Sequence, residues 1–197
     1  MRSKLLDFID NKARLNFVSL LDYLKTERVE DFVRYARHPF LMGKELYEGK
    51  LEEDQYRSSN TMPFHKSDIQ ALLRPNAITA EGSEPAESKG TGISKAVFML
   101  VKRRGSPGLA NEIFIGRSQE SDLVIADYAV SKIHAKLIIN KGRYSIVDEG
   151  STNGTFFNDH PLKPGVEYEL PPDNDIAFGR LVFRFISPNQ LYYLLSA

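Results

Sequence analysis

The spacing of apolar residues changes once along the chain, near residue 96. Before that point, from Ser3 to about Leu46, apolar residues recur at steps of three and four, which is the period of a helix. These positions are Leu5, Leu6, Phe8, Ile9, Phe17, Leu20, Leu21, Leu24, Val29, Phe32, Val33 and Ala36. The pattern stops at His38-Pro39, because the residue before a proline is pushed out of the α region. It predicts two or three short helices.

From Ala96 onward the period falls from about 3.6 to 2. Short runs rich in β-branched and aromatic residues alternate with turn residues, at 96–101, 112–115, 123–125, 135–139, 144–147, 155–157, 168–170, 176–178 and 181–186. Many short strands at close spacing favour an antiparallel sandwich or barrel over a βαβ fold. Ser187 and Pro188 then predict the start of a C-terminal helix, with a serine cap and a proline at the first position.

Residues 75–94 separate the two patterns. They are rich in Pro, Gly, Ser, Ala and Glu, and such a stretch buries too little surface to offset the entropy of ordering it. We therefore predict a helical N-terminal region of unknown role at 1–74 and a flexible linker at 75–94. An all-β antiparallel sandwich follows at 95–187, and a C-terminal helix packed on it at 188–197. The fold class is α+β overall.

Composition narrows the function. The chain has no cysteine, which excludes disulfides, thiolate nucleophiles and Cys-based zinc sites and suits a reducing compartment. Its 26 basic residues balance 26 acidic ones, so no extended nucleic-acid-binding surface is expected. No apolar run has the form of a signal peptide or a membrane span. His38, His65 and His160 lack metal-ligand spacing. We expect a cytoplasmic chain without metal, cofactor, nucleic-acid or membrane partners.

The candidate site residues lie in three polar turns between the predicted strands. The turns contain Gly116-Arg117, Ser131-Lys132-Ile133-His134 and Gly150-Ser151-Thr152-Asn153-Gly154. Loops at one end of a β-sandwich cluster, so these turns can converge on one spot. Together they would offer a guanidinium, an ammonium, hydroxyl donors and backbone N–H groups exposed by glycine, which is the set of donors that suits a phosphate.

Taken in order, these motifs are similar to those of a known family. The set GR, DLVI, VSKIHA, GSTNGTF and FG, spread over about residues 96–186, resembles the forkhead-associated (FHA) domain throughout. No single piece is specific, but the ordered set is. The resemblance implies a β-sandwich that binds phosphothreonine peptides and catalyses no reaction.

The resemblance also implies roles for individual residues. Phosphate binding falls on Arg117, Ser131 and Thr152, with an assisting charge from Lys132. Asn153 would contact the backbone of the bound peptide. A further set, Gly116, His134 and Gly154, would hold the loops in shape, and His134 would not touch the ligand.

The predicted function is that of a phosphothreonine-dependent adaptor in Ser/Thr kinase signalling, which recruits a kinase target or is recruited by a kinase. The alternative is a phosphate-independent scaffold or assembly module. A third reading takes Ser131, His134 and Asp148 as a hydrolase triad, but no nucleophile elbow accompanies Ser131. One further hypothesis is self-association, in which phosphorylated threonines in and near the linker occupy the chain's own site, in cis or between molecules. Those threonines are Thr61, Thr79 and Thr91.

Overall fold

The structure is a computed structural model that describes residues 4–44 and 96–196. Its helices are a short 3₁₀ helix at Lys4–Phe8, α1 at Phe17–Leu24, α2 at Val29–Ala36 and α3 at Pro188–Ser196. Its strands are β1 Phe40–Gly43, β2 Val97–Met99, β3 Glu112–Gly116, β4 Leu123–Val124, β5 Ala135–Asn140, β6 Arg143–Asp148, β7 Thr155–Phe157, β8 His160–Pro161, β9 Glu167–Glu169, β10 Asn174–Phe178 and β11 Leu181–Ile186. The predicted sandwich and N-terminal helices are confirmed. The predicted linker at 75–94 lies outside the described residues.

The strands form two sheets. One has six strands in the order β2-β1-β11-β10-β7-β8, and the other has five in the order β4-β3-β5-β6-β9. Among the described strands only β3 and β4 pair in parallel, with Ile115 opposite Leu123, so the second sheet is mixed where we predicted antiparallel pairing alone. The loop at 117–122 brings the chain back beside β3 in the same direction, and the two strands pair over only two residues.

The strand β1 was not predicted from the sequence. It lies between β2 and β11, with Leu41 opposite Phe98 on one side and Phe185 on the other. Phe40, Leu41 and Met42 are all buried. A central strand covered on both faces reads as a continuous apolar run, which carries neither a helical nor an alternating period. The N-terminal region therefore supplies an inner strand of the sandwich. The short exposed strand β8 was also not predicted.

Helices cover the outer face of the six-stranded sheet, which gives the molecule three layers. The core between the two sheets includes Leu41, Phe98, Ile115, Leu137, Ile146, Phe178, Phe183 and Phe185. A second core lies between the six-stranded sheet and the helices and includes Leu20, Leu24, Phe32, Phe40, Met42, Val97, Met99, Ile186, Leu191 and Leu195. Because side chains alternate along β1, it contributes to both cores.

The N-terminal segment also covers the open edge of β2. Leu15 N donates to Val97 O at 2.8 Å, and Met99 N donates to Ala13 O at 3.0 Å. These bonds occupy backbone groups that would otherwise form an exposed sheet edge.

No helix within 4–44 or 96–196 is both long enough and apolar enough to cross a membrane.

The last residue of β1 and the first residues of β2 lie at the same end of the sandwich as the β10–β11 turn. Gly43 N donates to Ala96 O at 2.8 Å. Gly43 lies opposite Phe183, near the start of β11, because β1 runs antiparallel to β11. Gly43 and Ala96 thus lie together at one end of the sheet.

Candidate functional site

The turn after β3 packs backbone against backbone on the turn before β5. Arg117 N donates to Ser131 O at 3.0 Å, and Ser118 N donates to Lys132 O at 3.1 Å. A Cβ added to Gly116 would overlap the Lys132 carbonyl oxygen and lie 2.8 Å from Ser121 Oγ. Only glycine fits this approach. The close packing brings the predicted residues Arg117, Ser131 and Lys132 into one neighbourhood.

The turn at 149–154 is organised by the buried carboxylate of Asp148. Its Oδ1 accepts from Gly150 N and Ser151 N, both at 2.9 Å, and its Oδ2 accepts from Ser151 Oγ and Thr155 Oγ1, both at 2.6 Å. Burial raises the pKa of the Asp148 carboxyl, but the bonds from Ser151, Thr155 and Gly150 outweigh it and hold the pKa below its ordinary value. The ionised carboxylate therefore shapes the turn that carries Thr152 and Asn153.

Ser131 joins the second and third turns. Thr152 N donates to Ser131 Oγ at 3.0 Å, and the two side-chain hydroxyls lie 3.4 Å apart. The side chains of Arg117 and Lys132 are exposed, and neither forms a hydrogen bond or ion pair with any residue that the structure describes. The structure thus places all five predicted ligand-binding residues on three connected turns, with both cations facing solvent.

His134 connects the second and third turns through two hydrogen bonds to their backbones. Its Nδ1 accepts from Ser131 N at 3.0 Å, so the neutral ring carries its proton on Nε2 and donates it to Gly154 O, 3.1 Å away. The ring is buried and meets Phe178 edge-on at 5.6 Å. Burial lowers the pKa of His134, which favours the neutral ring. In this position His134 joins the Ser131 turn to the turn that ends at Gly154.

The same contacts give the hydrolase reading no support. Both ring nitrogens of His134 bond to backbone groups, and neither contacts Ser131 Oγ or Asp148. The Asp148 carboxylate is occupied by Ser151 and Thr155. Within residues 4–44 and 96–196, Ser131 Oγ has no general base beside it, and no group of three or more His, Asp or Glu side chains could hold a metal.

The turn between β10 and β11 is a fourth part of the site that the sequence analysis did not assign. Gly179 N donates to Gly154 O at 2.9 Å. Gly179 has φ +59°, and a Cβ added there would lie 2.7 Å from Ala129 O. Asn153 Nδ2 donates to the same Ala129 carbonyl at 2.9 Å. The sequence feature that could have indicated this turn is the glycine of FGRLVF, which lies between two predicted strands.

A buried aspartate, Asp122, holds the end of the loop that begins at Arg117. The sequence did not indicate this role. Asp122 is fully buried, and its carboxylate accepts from Arg103 N at 2.7 Å, Phe114 N at 2.8 Å and Lys102 Nζ at 3.1 Å. The basic triplet at 102–104 is therefore partly structural, because Lys102 and Arg103 are tied to this loop. Nothing in the local sequence distinguishes Asp122 from an exposed turn aspartate.

The buried neutral histidine leads to a prediction about pH. The folded-state pKa of His134 lies below the ordinary 6.5, so the unfolded chain takes up the proton more readily. Its stabilising contribution is complete above about pH 6.5 and is lost as pH falls toward the folded-state pKa. His38, whose pKa burial also lowers, acts in the same direction. We expect the free energy of unfolding, measured by urea titration, to fall between about pH 7.5 and 5.5.

A substitution isolates the contribution of His134. His134→Gln should reduce the pH slope of the free energy of unfolding, because it removes the buried ring whose pKa is lowered. An unaltered slope in His134→Gln would contradict the assignment.

Comparison with known proteins agrees with the motifs. The family model described as the FHA domain matches residues 113–179. An oxoglutarate dehydrogenase inhibitor from Corynebacterium glutamicum is 33% identical over 137 residues, which is 64% of this chain and 94% of that protein. The glycogen accumulation regulator GarA of Mycolicibacterium smegmatis is 32% identical over 117 residues, or 55% of this chain and 72% of that protein. A solved chain from a study of phosphothreonine-dependent FHA domain interactions is 27% identical, covers 38% of this chain and 74% of its own length, and has a TM-score of 0.35.

Proposed function

Since the chain belongs to the forkhead-associated domain family, we propose that it binds phosphothreonine-containing segments of other proteins as a non-catalytic adaptor in Ser/Thr kinase signalling. Its relatives named above carry the names of an inhibitor and a regulator, which suits control of another protein by binding. The partner is a phosphorylated Ser/Thr kinase or one of its substrates.

The observation that carries this proposal is the direct bonding of three turns around Ser131. Its carbonyl accepts from Arg117 N, and its hydroxyl accepts from Thr152 N. A phosphothreonine brings about −1.5 to −2 charges and three acceptor oxygens. Arg117 would bind the phosphate through its planar fork of donors, with the hydroxyls of Ser131 and Thr152 and the charge of Lys132 completing the set.

Asn153 has a separate role in the proposal. Its amide group is anchored on Ala129 O, which fixes the orientation of the side chain at the rim of the site. An amide offers both donor and acceptor atoms, which is what contact with a peptide backbone requires. Because the 26 basic residues of the chain balance its 26 acidic ones, recognition rests on local geometry rather than on a general positive field.

The decisive experiment substitutes Arg117. Each hydrogen bond with a charged partner contributes about 1.5–3 kcal/mol, so losing a two-point contact should weaken phosphopeptide binding by about 100-fold or more. We expect Arg117→Ala to lose binding to a phosphothreonine peptide in fluorescence anisotropy while its thermal unfolding stays close to that of the unchanged chain. Arg143→Ala is the matched control, because Arg143 is an exposed arginine at the opposite end of the sandwich.

The scaffold alternative predicts a different result. If Arg117→Ala retrieved the same partners in a pull-down as the unchanged chain, and phosphatase treatment of those partners made no difference, assembly without phosphate would replace phosphothreonine binding as the function. The unphosphorylated peptide serves as the reference ligand in both experiments.

Self-association stays a prediction, because Thr61, Thr79 and Thr91 lie outside the described residues. It is supported by the position of Gly43 and Ala96, which bracket that part of the chain at the same end of the sandwich as the β10–β11 turn. Mass spectrometry after kinase treatment that found all three threonines unmodified would remove the hypothesis.

A further inference from the structure

A cleft of about 510 Å³ lies where the end of α2 meets the end of β2 and the residues that follow each of them. Its apolar lining includes Leu6, Met99, Leu100 and Val101, and Leu6 remains 38% exposed. Clefts of about 300–1,000 Å³ with a mainly apolar lining are typical of ligand sites. We call this space the α2–β2 cleft.

Among the described residues, the charged side chains that line the α2–β2 cleft are all basic. They belong to Arg34, Arg37 and Lys102. Lys102 is committed to the buried carboxylate of Asp122, 3.1 Å from its Nζ. The side chains of Arg34 and Arg37 are exposed, and neither forms a hydrogen bond or ion pair with any residue that the structure describes. Two guanidiniums beside an apolar cleft are therefore available to an anionic ligand.

The backbone of Arg37 is strained. Arg37 follows α2 with φ +61° and ψ −40°, a conformation that residues other than glycine rarely adopt. His38 N donates to Ala36 O at 2.7 Å across this residue. Strained residues of this kind cluster at ligand sites, where the surrounding structure maintains them. An arginine in place of the glycine that would relieve the strain points to a role for the arginine side chain.

The α2–β2 cleft lies at the opposite end of the sandwich from the proposed phosphothreonine site. His38, which lines the cleft, has its Nδ1 3.4 Å from the hydroxyl of Tyr144. Tyr144 is near the start of β6, whose last residue, Asp148, organises the turn that carries Thr152. Four residues of a strand span about 13 Å. The cleft is therefore a separate site.

We infer that the α2–β2 cleft binds an unphosphorylated acidic segment of another protein, in which a large apolar side chain such as Leu or Phe lies beside Asp or Glu. The apolar side chain packs against the lining around Leu6, and the carboxylates pair with the guanidiniums of Arg34 and Arg37. The cleft is partly open to solvent rather than enclosed, which suits a side chain presented by a protein segment. The inference does not depend on phosphothreonine binding.

The test uses the full chain and fluorescein-labelled peptides that carry no phosphate. One peptide combines Glu with Leu, a second has Gln in place of each Glu, and a third has Ser in place of each Leu. In fluorescence anisotropy the Glu/Leu peptide should bind about tenfold more tightly than either of the others, because each of those lacks one of the two kinds of contact. Added salt should weaken binding of the Glu/Leu peptide but not of the Gln/Leu peptide.

The double variant Arg34→Gln, Arg37→Gly removes both guanidiniums and relieves the strain at position 37. It should bind the Glu/Leu peptide about tenfold more weakly, while its urea midpoint stays close to that of the unchanged chain. Lys163→Gln, at an exposed position in the β8–β9 turn, removes a positive charge elsewhere and should keep the affinity. In amide NMR spectra of the unchanged chain, the Glu/Leu peptide should shift the signals of Leu6 and Val101.

The double variant should also bind a phosphothreonine peptide as tightly as the unchanged chain does, which separates this inference from the proposed function. Three results would overturn the inference alone. The first is a Glu/Leu peptide that does not bind or binds no better than the Gln/Leu peptide. The second is an unchanged affinity in the double variant, or NMR shifts confined to the turns of Ser131 and Thr152. The third is self-association of the unchanged chain that the double variant abolishes, which would make a second copy the occupant of the cleft.

Discussion

A fragment of residues 93–197 is expected not to fold, although it holds every predicted site residue. It lacks β1, which pairs with both β2 and β11. Without β1 and the segment at 13–15, the three residues of β2 lose their strand partners, and β11 becomes an exposed edge rich in apolar side chains. The sequence instead predicted a sandwich within 95–187, with no strand from residues 1–74.

The energetic loss is comparable to the stability of a domain. Residues 4–44 supply several fully buried large side chains, namely Leu5, Leu20, Leu24, Phe32, Phe40, Leu41 and Met42. Burying each contributes about 1.5–3 kcal/mol, whereas the net stability of a domain is about 5–15 kcal/mol. Circular dichroism and the dispersion of an amide NMR spectrum should therefore report an unfolded or aggregated fragment.

The matched control removes the intervening segment and keeps β1. Gly43 N and Ala96 O are already hydrogen-bonded at 2.8 Å, so a short Gly-Ser turn in place of residues 46–94 can close the β1–β2 hairpin. We expect this shortened chain to unfold cooperatively and to bind phosphothreonine peptides. Cooperative unfolding of the 93–197 fragment would instead show that β1 is dispensable.

Gly116→Ala is expected to weaken both folding and binding. Its new Cβ would meet the backbone carbonyl of Lys132, which cannot rotate away as a flexible side chain could. Overpacking of this kind costs about 1–3 kcal/mol or more. Relief requires parting the two turns, which breaks the bonds from Arg117 N to Ser131 O and from Ser118 N to Lys132 O. Peptide affinity should fall as well, because the parted turns no longer hold Arg117 and Ser131 side by side.

The measurement compares urea unfolding and peptide anisotropy for Gly116→Ala and Gly142→Ala. Gly142 lies in the β5–β6 turn with φ +81° and nothing within 4 Å of an added Cβ. Its substitution should cost about 1 kcal/mol of backbone strain and leave peptide affinity intact. Equal behaviour of the two variants would mean that the packing at Gly116 does not position the site.

Local periodicity predicted most of the fold. The strands from β2 to β11 other than β8 appear within about two residues of the predicted runs, and α3 begins at Pro188, after Ser187, whose Oγ accepts from Gln190 N at 3.3 Å. The missing element, β1, is three apolar residues after Pro39 whose partners lie far along the chain. No local pattern predicts that pairing, because it depends on contacts with strands that lie far along the chain.

The candidate site, too, could be predicted only in part from the sequence. Residue type and order placed Arg117, Ser131 and Thr152 in turns, and a shared end of the sandwich was enough to predict convergence. The bonds that fix the turns were not predictable, since Asp122 and Gly179 act through burial and close approach to distant backbone. The pairing of Arg180 with Asp127 was not predictable either, because the two residues are distant in the chain and meet only in three dimensions.

The inner position of β1 also bears on biosynthesis. Phe40, Leu41 and Met42 emerge from the ribosome long before residues 181–186, the strand on which they pack. At about 5–20 residues per second, the nascent chain carries these apolar residues without β11 for roughly 7–30 s. The last strand to be translated therefore completes the sheet around one of the first, and chaperone protection of residues 40–42 matters most during that interval.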